Sequence, residues 1–355
     1  MSSLRIIYIC ASYWMGSNDE VRIMHLSLED LGARVLELNL GRYPHLVYAP
    51  EQSAYPKIPK QVILKELKPF LDSFKPDIIV CVAGGITFFE HEYKELMDKY
   101  ITVGITVSDP EAYYWHGRDN IYAHRFKYFF TNSIEAQRLY KQEHGIDTYI
   151  FQQGCYPGFH KPMKVKKEFD VVVVGHGKPD RVEAVNALAK YFKVGIWGHN
   201  WEGCVLKPLP EVHGKDYIKA INSGKLYVSF ARTESNRLAV KYHIFEATAC
   251  KIPVFCEEFD EMKDYFDYGK EEIIGYTSLD DLCKKIGYYI GNYREAEEIA
   301  YNGYRRSIAE HTWHQRWIGM FNFISYLEGK RWKLVKGWRY YYHKLKFGSG
   351  FYDKE

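Results

Sequence analysis

The chain has 355 residues, which is long for a single hydrophobic core and predicts two domains. Its formal net charge of +3 is too small to indicate a nucleic-acid-binding protein, and its seven cysteines include no Cys-x-x-Cys pair, which argues against a zinc site or a disulfide framework. Because the cysteines indicate no disulfide framework, we expect a protein of the reducing cytoplasm, and no segment is long and apolar enough to span a bilayer.

The first half of the sequence alternates strand-like and helix-like segments, with polar or glycine-containing loops after nearly every strand. Predicted strands cover residues 4–11, 34–40, 77–83, 102–107, 128–131 and 149–152, and predicted helices cover 19–31, 61–74, 90–100 and 134–143. This alternation is typical of a parallel sheet with helices on both faces, in which ligands bind beyond the carboxyl ends of the strands.

A lysine- and proline-containing stretch at 156–167 reads as a linker, and the alternation restarts after it. Predicted strands follow at 169–174, 193–197, 227–231 and 254–256, with helices at 182–191, 215–222, 237–250, 258–266, 279–290 and 294–311. We therefore expect an α/β protein with domains at 1–160 and 161–315, followed by a C-terminal helix that returns to the first domain and a tail, together 316–355.

The stretch 227–256 carries the strongest indication of a binding site. Thr233, Ser235 and Asn236 are good helix-capping residues and place the start of the predicted helix near residue 237. Four cations gather around that start, where free amide groups favour an anion: Arg232, Arg237, Lys241 and His243. On the same predicted helix, Tyr242, His243 and Glu246 could share an open face, where the Glu246 carboxylate could accept hydrogen bonds from a sugar. An ordinary α/β unit with solvent-facing basic residues explains the same pattern equally well.

Several motifs of the second half together resemble the CgeB/YkvP-type, spore-maturation-like glycosyltransferases. They are Asp170 to Gly175, Arg181–Val182–Glu183, Ile196–Trp197–Gly198 with Trp201, Phe245 to Cys250 with Ile252–Pro253–Val254, and His311 to Arg316. The resemblance covers roughly residues 105–320 and implies the GT-B fold, in which two Rossmann-like parallel-sheet domains face a cleft. It implies a nucleotide-sugar donor, with a UDP-sugar favoured, and no metal or other cofactor.

The resemblance also implies roles for individual residues. Glu246 would hold the ribose hydroxyls of the donor, Trp197 and Gly198 would lie near the base, and Glu234 would lie near the transferred sugar. Gly175, Lys178 and Arg181 would line the loop near the diphosphate. Further candidate donor-binding residues lie in the same loop and around the predicted helix start: His176, Arg232, Ser235, Asn236, Arg237, Lys241 and His243.

Two positions depart from the pattern of this family. His243 stands where the family has arginine, so a group that titrates near neutrality replaces a permanent charge. Lys251 stands where the family has glycine, which weakens the expected left-handed helix stop. Both departures leave room for an altered donor or for lost activity.

The expected chemistry is displacement at the anomeric carbon, with stabilisation of the leaving diphosphate by cations and helix-start amides. An inverting enzyme needs a general base, and the first candidate is Asp109, followed by Asp19 and His116. Asp109 could equally be a turn former before Pro110, and the stereochemistry stays open. The acceptor would be a carbohydrate, a lipid-linked molecule or a protein. A catalytically silent nucleotide- or sugar-binding module and a GT-B-type sugar epimerase are the alternatives.

The segment 330–347 is rich in cations and aromatic rings. Such segments favour anionic membrane surfaces, which suggests peripheral contact with the inner face of the membrane. The alternative is a helix that packs on the first domain with its charges in solvent.

Overall fold

The computed structural model describes residues 3–11, 19–39, 68–83, 98–114, 122–269, 271–330 and 332. The chain forms two compact units, Met1–Gln152 with Trp313–Glu355 and Gln153–Thr312. Residues 90–97 of the predicted helix 90–100, residues 61–67 of the predicted helix 61–74 and nearly all of the segment 330–347 lie outside the described residues, and residues 98–100 are not helical.

The first unit contains a six-stranded parallel sheet with strand order β2-β1-β3-β4-β5-β6. Its strands are β1 (Arg5–Ala11), β2 (Arg34–Asn39), β3 (Ile78–Ala83), β4 (Ile101–Thr106), β5 (Tyr128–Thr131) and β6 (Tyr149–Ile150). The first unit contains the helices α1 (Asp19–Asp30) and α2 (Ile134–His144), and residues 68–74 are also helical. The buried strand residues are mostly β-branched and aromatic, as strands covered on both faces require.

The last described helix of the chain, α8 (Trp313–Glu328), packs in the first unit. The fully buried Trp317 anchors it, because its indole Nε1 donates to the Met24 carbonyl at 3.2 Å and to Ser27 Oγ at 2.9 Å, both on α1. The aromatic helix is therefore fixed by polar contacts as well as by burial of its rings.

The second unit contains a five-stranded parallel sheet with strand order β11-β10-β9-β7-β8. Its strands are β7 (Phe169–Val174), β8 (Val194–Trp197), β9 (Gly224–Ser229), β10 (Val254–Glu257) and β11 (Ile274–Tyr276). Its helices are α3 (Pro179–Leu188), α4 (Gly214–Asn222), α5 (Tyr242–Ala249), α6 (Leu279–Gly291) and α7 (Tyr293–Glu310). One face of this sheet forms an apolar core with α3, α6 and α7.

The prediction of two parallel-sheet α/β domains is confirmed. The prediction of a helix over 258–266 is wrong, since only a short 3₁₀ helix forms, at Asp260–Asp264. The predicted helix over 237–250 is also wrong in its start, because α5 begins at Tyr242. No helix among the residues that the structure describes has the length and apolarity that crossing a bilayer requires.

Candidate functional site

The loops that follow β7 and β8 pack against each other through their backbones. The Gly175 amide donates to the Trp197 carbonyl at 3.0 Å, and the Gly177 amide donates to the His199 carbonyl at 2.8 Å. A Cβ atom on Gly177 would lie 2.1 Å from the Asn200 carbonyl oxygen, so no larger residue fits there. The two loops therefore form one rigid surface at the carboxyl ends of neighbouring strands, where α/β sheets bind ligands.

Two further contacts hold this double loop in place. The indole of the buried Trp201 donates from Nε1 to the Gly175 carbonyl at 3.1 Å. Gly198 has φ 112° and would place a Cβ atom 2.4 Å from the same carbonyl oxygen. Trp201 thus has a structural role. The positive φ favours glycine at both Gly175 and Gly198, and at Gly198 the close approach of the Gly175 carbonyl excludes a larger residue as well. The Trp197 side chain is buried edge-on against the Phe169 ring, with the centroids 5.4 Å apart.

Arg181, on the first turn of α3, carries a buried charge that has no carboxylate partner. Its side chain is only 8% exposed, and its Nη1 donates to the His176 carbonyl at 2.7 Å. The guanidinium carbon lies 5.7 Å from the centre of the Phe230 ring. Its buried Nε has no acceptor, and burial lowers the pKa of Arg181. Among the described residues it forms no ion pair, and the charge of its sequence neighbour Asp180 offsets the effect of burial on its pKa only in part.

His243 lies next to this charge, at the start of α5. Burial, reinforced by the positive charges of Arg181, Lys241 and Lys178, lowers the pKa of His243 to about 3. The expectation that His243 titrates near neutrality is therefore wrong for the unliganded protein, because burial and then the cations around it oppose protonation of the ring. Lys178, Lys241 and Arg181 therefore all lie close enough to His243 for their positive charges to affect it. Lys178 is the N-cap of α3 and Lys241 the N-cap of α5.

Glu246, in the second turn of α5, is a buried carboxylate that is only 7% exposed. The Tyr217 hydroxyl donates to its Oε2 at 2.6 Å, and Nε2 of the buried His160 lies 3.0 Å from its Oε1. The predicted open face of Tyr242, His243 and Glu246 is thus wrong, since Tyr242 is exposed, His243 half-buried and Glu246 buried. Sequence reasoning missed His160 and Tyr217, because both contacts join residues that are far apart along the chain.

The segment between β9 and α5 forms a turn rather than the start of a helix. The Thr233 amide donates to the Arg237 carbonyl at 2.8 Å, and the Arg237 amide donates to Thr233 Oγ1 at 3.0 Å. Asn236 adopts a left-handed conformation with φ 61°. Thr233, Ser235 and Asn236 are therefore turn residues and not helix caps, because α5 begins only at Tyr242 and the Thr233 side chain accepts from the Arg237 amide within the turn. Glu234, Ser235 and Asn236 are exposed at its tip.

Arg232 begins this turn and stabilises it. Its guanidinium donates to Glu257 at 2.5 Å and to both the carbonyl and the side chain of Asn236. The Arg232 charge is thus already paired at the carboxyl end of β10. Because α5 starts later than predicted, Arg232 and Arg237 lie in the turn, and only Lys241 and His243 lie at the helix start.

Asp109, the first candidate for the general base, is buried at the carboxyl end of β4 in the first unit. Its Oδ1 accepts from the Tyr113 amide at 3.0 Å, and its Oδ2 accepts from Thr131 Oγ1 at 2.6 Å. Burial raises the pKa of Asp109 to about 6 although both hydrogen bonds lower it. The main chain of Asp19 begins α1, and His116 lies outside the described residues.

No group of three or more His, Cys, Asp or Glu side chains in the described part of the chain could hold a metal ion. The site elements observed in the second unit are the double loop after β7 and β8, the buried Arg181, the buried Glu246 and two lysines that each cap a helix, Lys178 on α3 and Lys241 on α5. Together they can accommodate a ligand that carries both an anionic group and hydroxyl groups.

Comparison with known proteins agrees with this arrangement. Residues 179–322 match the model of the family described as glycosyl transferase-like. No curated protein matches the chain. A structure of HepE from Anabaena in complex with UDP-glucose superposes with a TM-score of 0.65 at 14% identity, covering 91% of this chain and 99% of that one.

Two further solved structures share the fold. Sucrose-phosphate synthase from Thermosynechococcus elongatus has a TM-score of 0.64 at 12% identity, covering 92% of this chain and 99% of that one. A putative UDP-N-acetylglucosamine 2-epimerase from Listeria monocytogenes has a TM-score of 0.56 at 11% identity, covering 93% of this chain and 98% of that one. The two parallel-sheet domains have the GT-B architecture of these structures, and the match to the glycosyl transferase-like family covers residues 179–322 of the second unit and of α8.

Proposed function

We propose that this chain transfers a sugar from a nucleoside-diphosphate sugar to an acceptor hydroxyl, without a metal ion. The observation that carries the proposal is a pair of buried opposite charges that do not neutralise each other. Arg181 has no carboxylate partner and Glu246 has no lysine or arginine partner among the described residues, although both belong to the second unit. Burying separated charges is costly, and a ligand with a phosphate and hydroxyl groups would supply what each one lacks.

The proposed chemistry follows from those charges. The acceptor oxygen forms a bond to the anomeric carbon while the bond from that carbon to the diphosphate oxygen breaks, and the electron pair stays on the diphosphate. Arg181, Lys178 and Lys241 would stabilise the negative charge that develops there, aided by the amides at the start of α5. A bound diphosphate would also add negative charge beside His243 and raise its pKa from about 3, so that the imidazole becomes a better donor.

The identity of the donor is supported by the structural neighbours. The HepE structure contains UDP-glucose, and the Listeria protein is named after a UDP-sugar, so a UDP-sugar is the proposed donor. The motifs of the second half support the CgeB/YkvP type as the proposed subfamily. For an inverting reaction, Asp109 stays the proposed general base, because a pKa of about 6 leaves it ionised at neutral pH and still able to accept a proton.

The proposed location is the cytoplasm, with peripheral contact between the segment 330–347 and an anionic membrane. Co-sedimentation of the full chain and of a chain that ends at residue 329 with phosphatidylserine-containing vesicles tests this part. We expect only the full chain to sediment with the vesicles. Equal sedimentation of the two would contradict membrane contact through this segment.

Calorimetric titration with UDP, GDP, ADP and dTDP in the presence of EDTA tests the function itself. We expect one nucleoside diphosphate to bind, and the matching nucleotide-sugars to be hydrolysed slowly or transferred in the same buffer. Glu246→Ala should weaken this binding while the fold is retained. Binding without turnover of any donor would favour a silent module, and epimerised sugar would favour the epimerase with which the fold is shared. If no nucleoside diphosphate binds, the proposal is wrong.

A further inference from the structure

We propose that His160 and Tyr217 are positioning residues that hold the Glu246 carboxylate as a double acceptor for the two ribose hydroxyls of the donor. This inference rests on the proposed function and adds to it how the protein would recognise the ribose of the donor. His160 lies in the segment before β7, and Tyr217 lies on α4, so two separate elements converge on one carboxylate of α5.

The tautomer of His160 is fixed by the backbone. The Tyr156 amide donates to Nδ1 at 2.9 Å, so this nitrogen carries no proton. The proton of the neutral ring therefore lies on Nε2, which is 3.0 Å from Glu246 Oε1. Protonating the ring would place a second N–H against the Tyr156 amide. His160 thus presents a neutral donor, and its side chain is only 1% exposed, so the ring cannot easily turn away.

Tyr217 supplies the second donor. Burial, followed by the nearby Glu246 charge, raises the pKa of Tyr217 well above its ordinary value, so the hydroxyl keeps its proton. That hydroxyl donates to Oε2 at 2.6 Å, a short distance that is typical of a donor to an ionised carboxylate. Each oxygen of Glu246 therefore has one partner in the protein, and the two partners are of different kinds on different elements.

Two neutral donors leave the carboxylate only partly satisfied. A carboxylate offers about four acceptor positions, and two of them are used here. No lysine or arginine among the described residues lies within 4 Å of it. A purely structural buried carboxylate normally has a cation or more donors. The cis-diol of a ribose presents two neighbouring hydroxyls, which match the two acceptor positions that the oxygens of Glu246 keep.

Two variants of His160 distinguish the contribution of Nε2 from that of Nδ1. His160→Gln keeps an N–H donor near the position of Nε2, whereas His160→Asn keeps only a group near the position of Nδ1. Tyr217→Phe removes the other donor and keeps the ring. We expect the wild type to bind UDP more tightly than 2′-deoxy-UDP and 3′-deoxy-UDP in calorimetric titrations. His160→Asn and Tyr217→Phe should weaken UDP binding about tenfold and the binding of each deoxy analogue, which keeps one of the two hydroxyls, by less, and His160→Gln should keep the preference.

A merely structural role would give another pattern. In that case the variants would lose affinity for all three nucleotides in parallel with a lower Tm, and an unchanged ratio between UDP and its deoxy analogues would overturn the proposal. If Tyr217→Phe does not fold, the comparison of His160→Asn with His160→Gln decides alone. A wild type that binds UDP without preferring it over the deoxy analogues would overturn the positioning role but not the proposed function. A wild type that binds no nucleoside diphosphate would overturn both.

Discussion

Replacing Arg181 by methionine should separate its contribution to ligand binding from its contribution to stability. Methionine keeps an apolar stem but removes the charged head, and with it the contact between the guanidinium and the Phe230 ring. Two effects on the unliganded protein then oppose each other. The hydrogen bond to the His176 carbonyl is lost, which costs about 1.5 to 3 kcal/mol, and the buried unpaired charge disappears, which relieves a penalty of several kcal/mol.

We therefore expect the unfolding free energy of unliganded Arg181→Met to equal that of the wild type or to exceed it by up to about 2 kcal/mol. The affinity for the nucleotide, in contrast, should fall. One or two charge-assisted hydrogen bonds to phosphate are lost, about 2 to 3 kcal/mol in all, which is roughly a 30- to 150-fold weaker Kd. Urea denaturation of the unliganded protein and calorimetric titration with UDP measure the two effects.

A matched control is available in the same unit. Arg306 lies on α7 with Nη2 3.3 Å from a Glu310 oxygen, and Arg306→Met should leave the affinity for UDP unchanged. The reasoning would be refuted if Arg181→Met lowered the stability of the unliganded protein by 3 kcal/mol or more and left UDP binding as it is. That result would mean that Arg181 is a structural residue.

Three further changes test other features. Because the pKa of Asp109 is raised from 3.8 to about 6, the folded state holds the proton more strongly, and stability is lost as pH rises from about 4 to above 6. Asp109→Asn should remove this loss, which is about 3 kcal/mol in full and about 2 kcal/mol between pH 4.5 and pH 7.5, where urea denaturation measures it. Lys251 ends α5 with φ 55°, so Lys251→Gly should raise the unfolding free energy by up to about 1 kcal/mol. Gly198→Ala should destabilise the protein by at least about 2 kcal/mol and weaken UDP binding, because the added Cβ meets the Gly175 carbonyl.

Each of these changes has a contrary outcome. An undiminished pH dependence in Asp109→Asn would mean that other groups titrate in that range. A lower Tm for Lys251→Gly would mean that the contact of Lys251 with the Tyr301 ring outweighs the backbone strain. Gly319→Ala is the control for Gly198→Ala, since a Cβ atom there meets nothing within 4 Å, and equal effects of the two would contradict the argument from close approach.

The fold was predictable because the strands of a parallel sheet are buried on both faces. The apolar run at 169–174 coincides with β7, and the alternation of elements gave the two sheets. The start of α5 was not predictable, because Thr233 and Asn236 suit a turn as well as a helix cap. Only the hydrogen bonds between Thr233 and Arg237 decide between the two.

The candidate site could be predicted only in part from the sequence. The resemblance singled out Arg181 and Glu246, but nothing in the sequence shows that the first is buried without an ion pair. His160 lies in a stretch that reads as a linker, and its contact with Glu246 depends on the packing of segments distant in sequence. Such contacts leave no periodic pattern, so they become visible only in the structure.

The backbone packing between the loops after β7 and β8 has a consequence for changing the donor. An insertion in either loop would separate Gly177 from the Asn200 carbonyl and disturb both loops at once. The rings of His176 and His199, in contrast, stack at 6.0 Å on the exposed side of the same loops. A library of variants designed to bind another nucleotide should therefore keep the lengths of both loops fixed and randomise only His176 and His199.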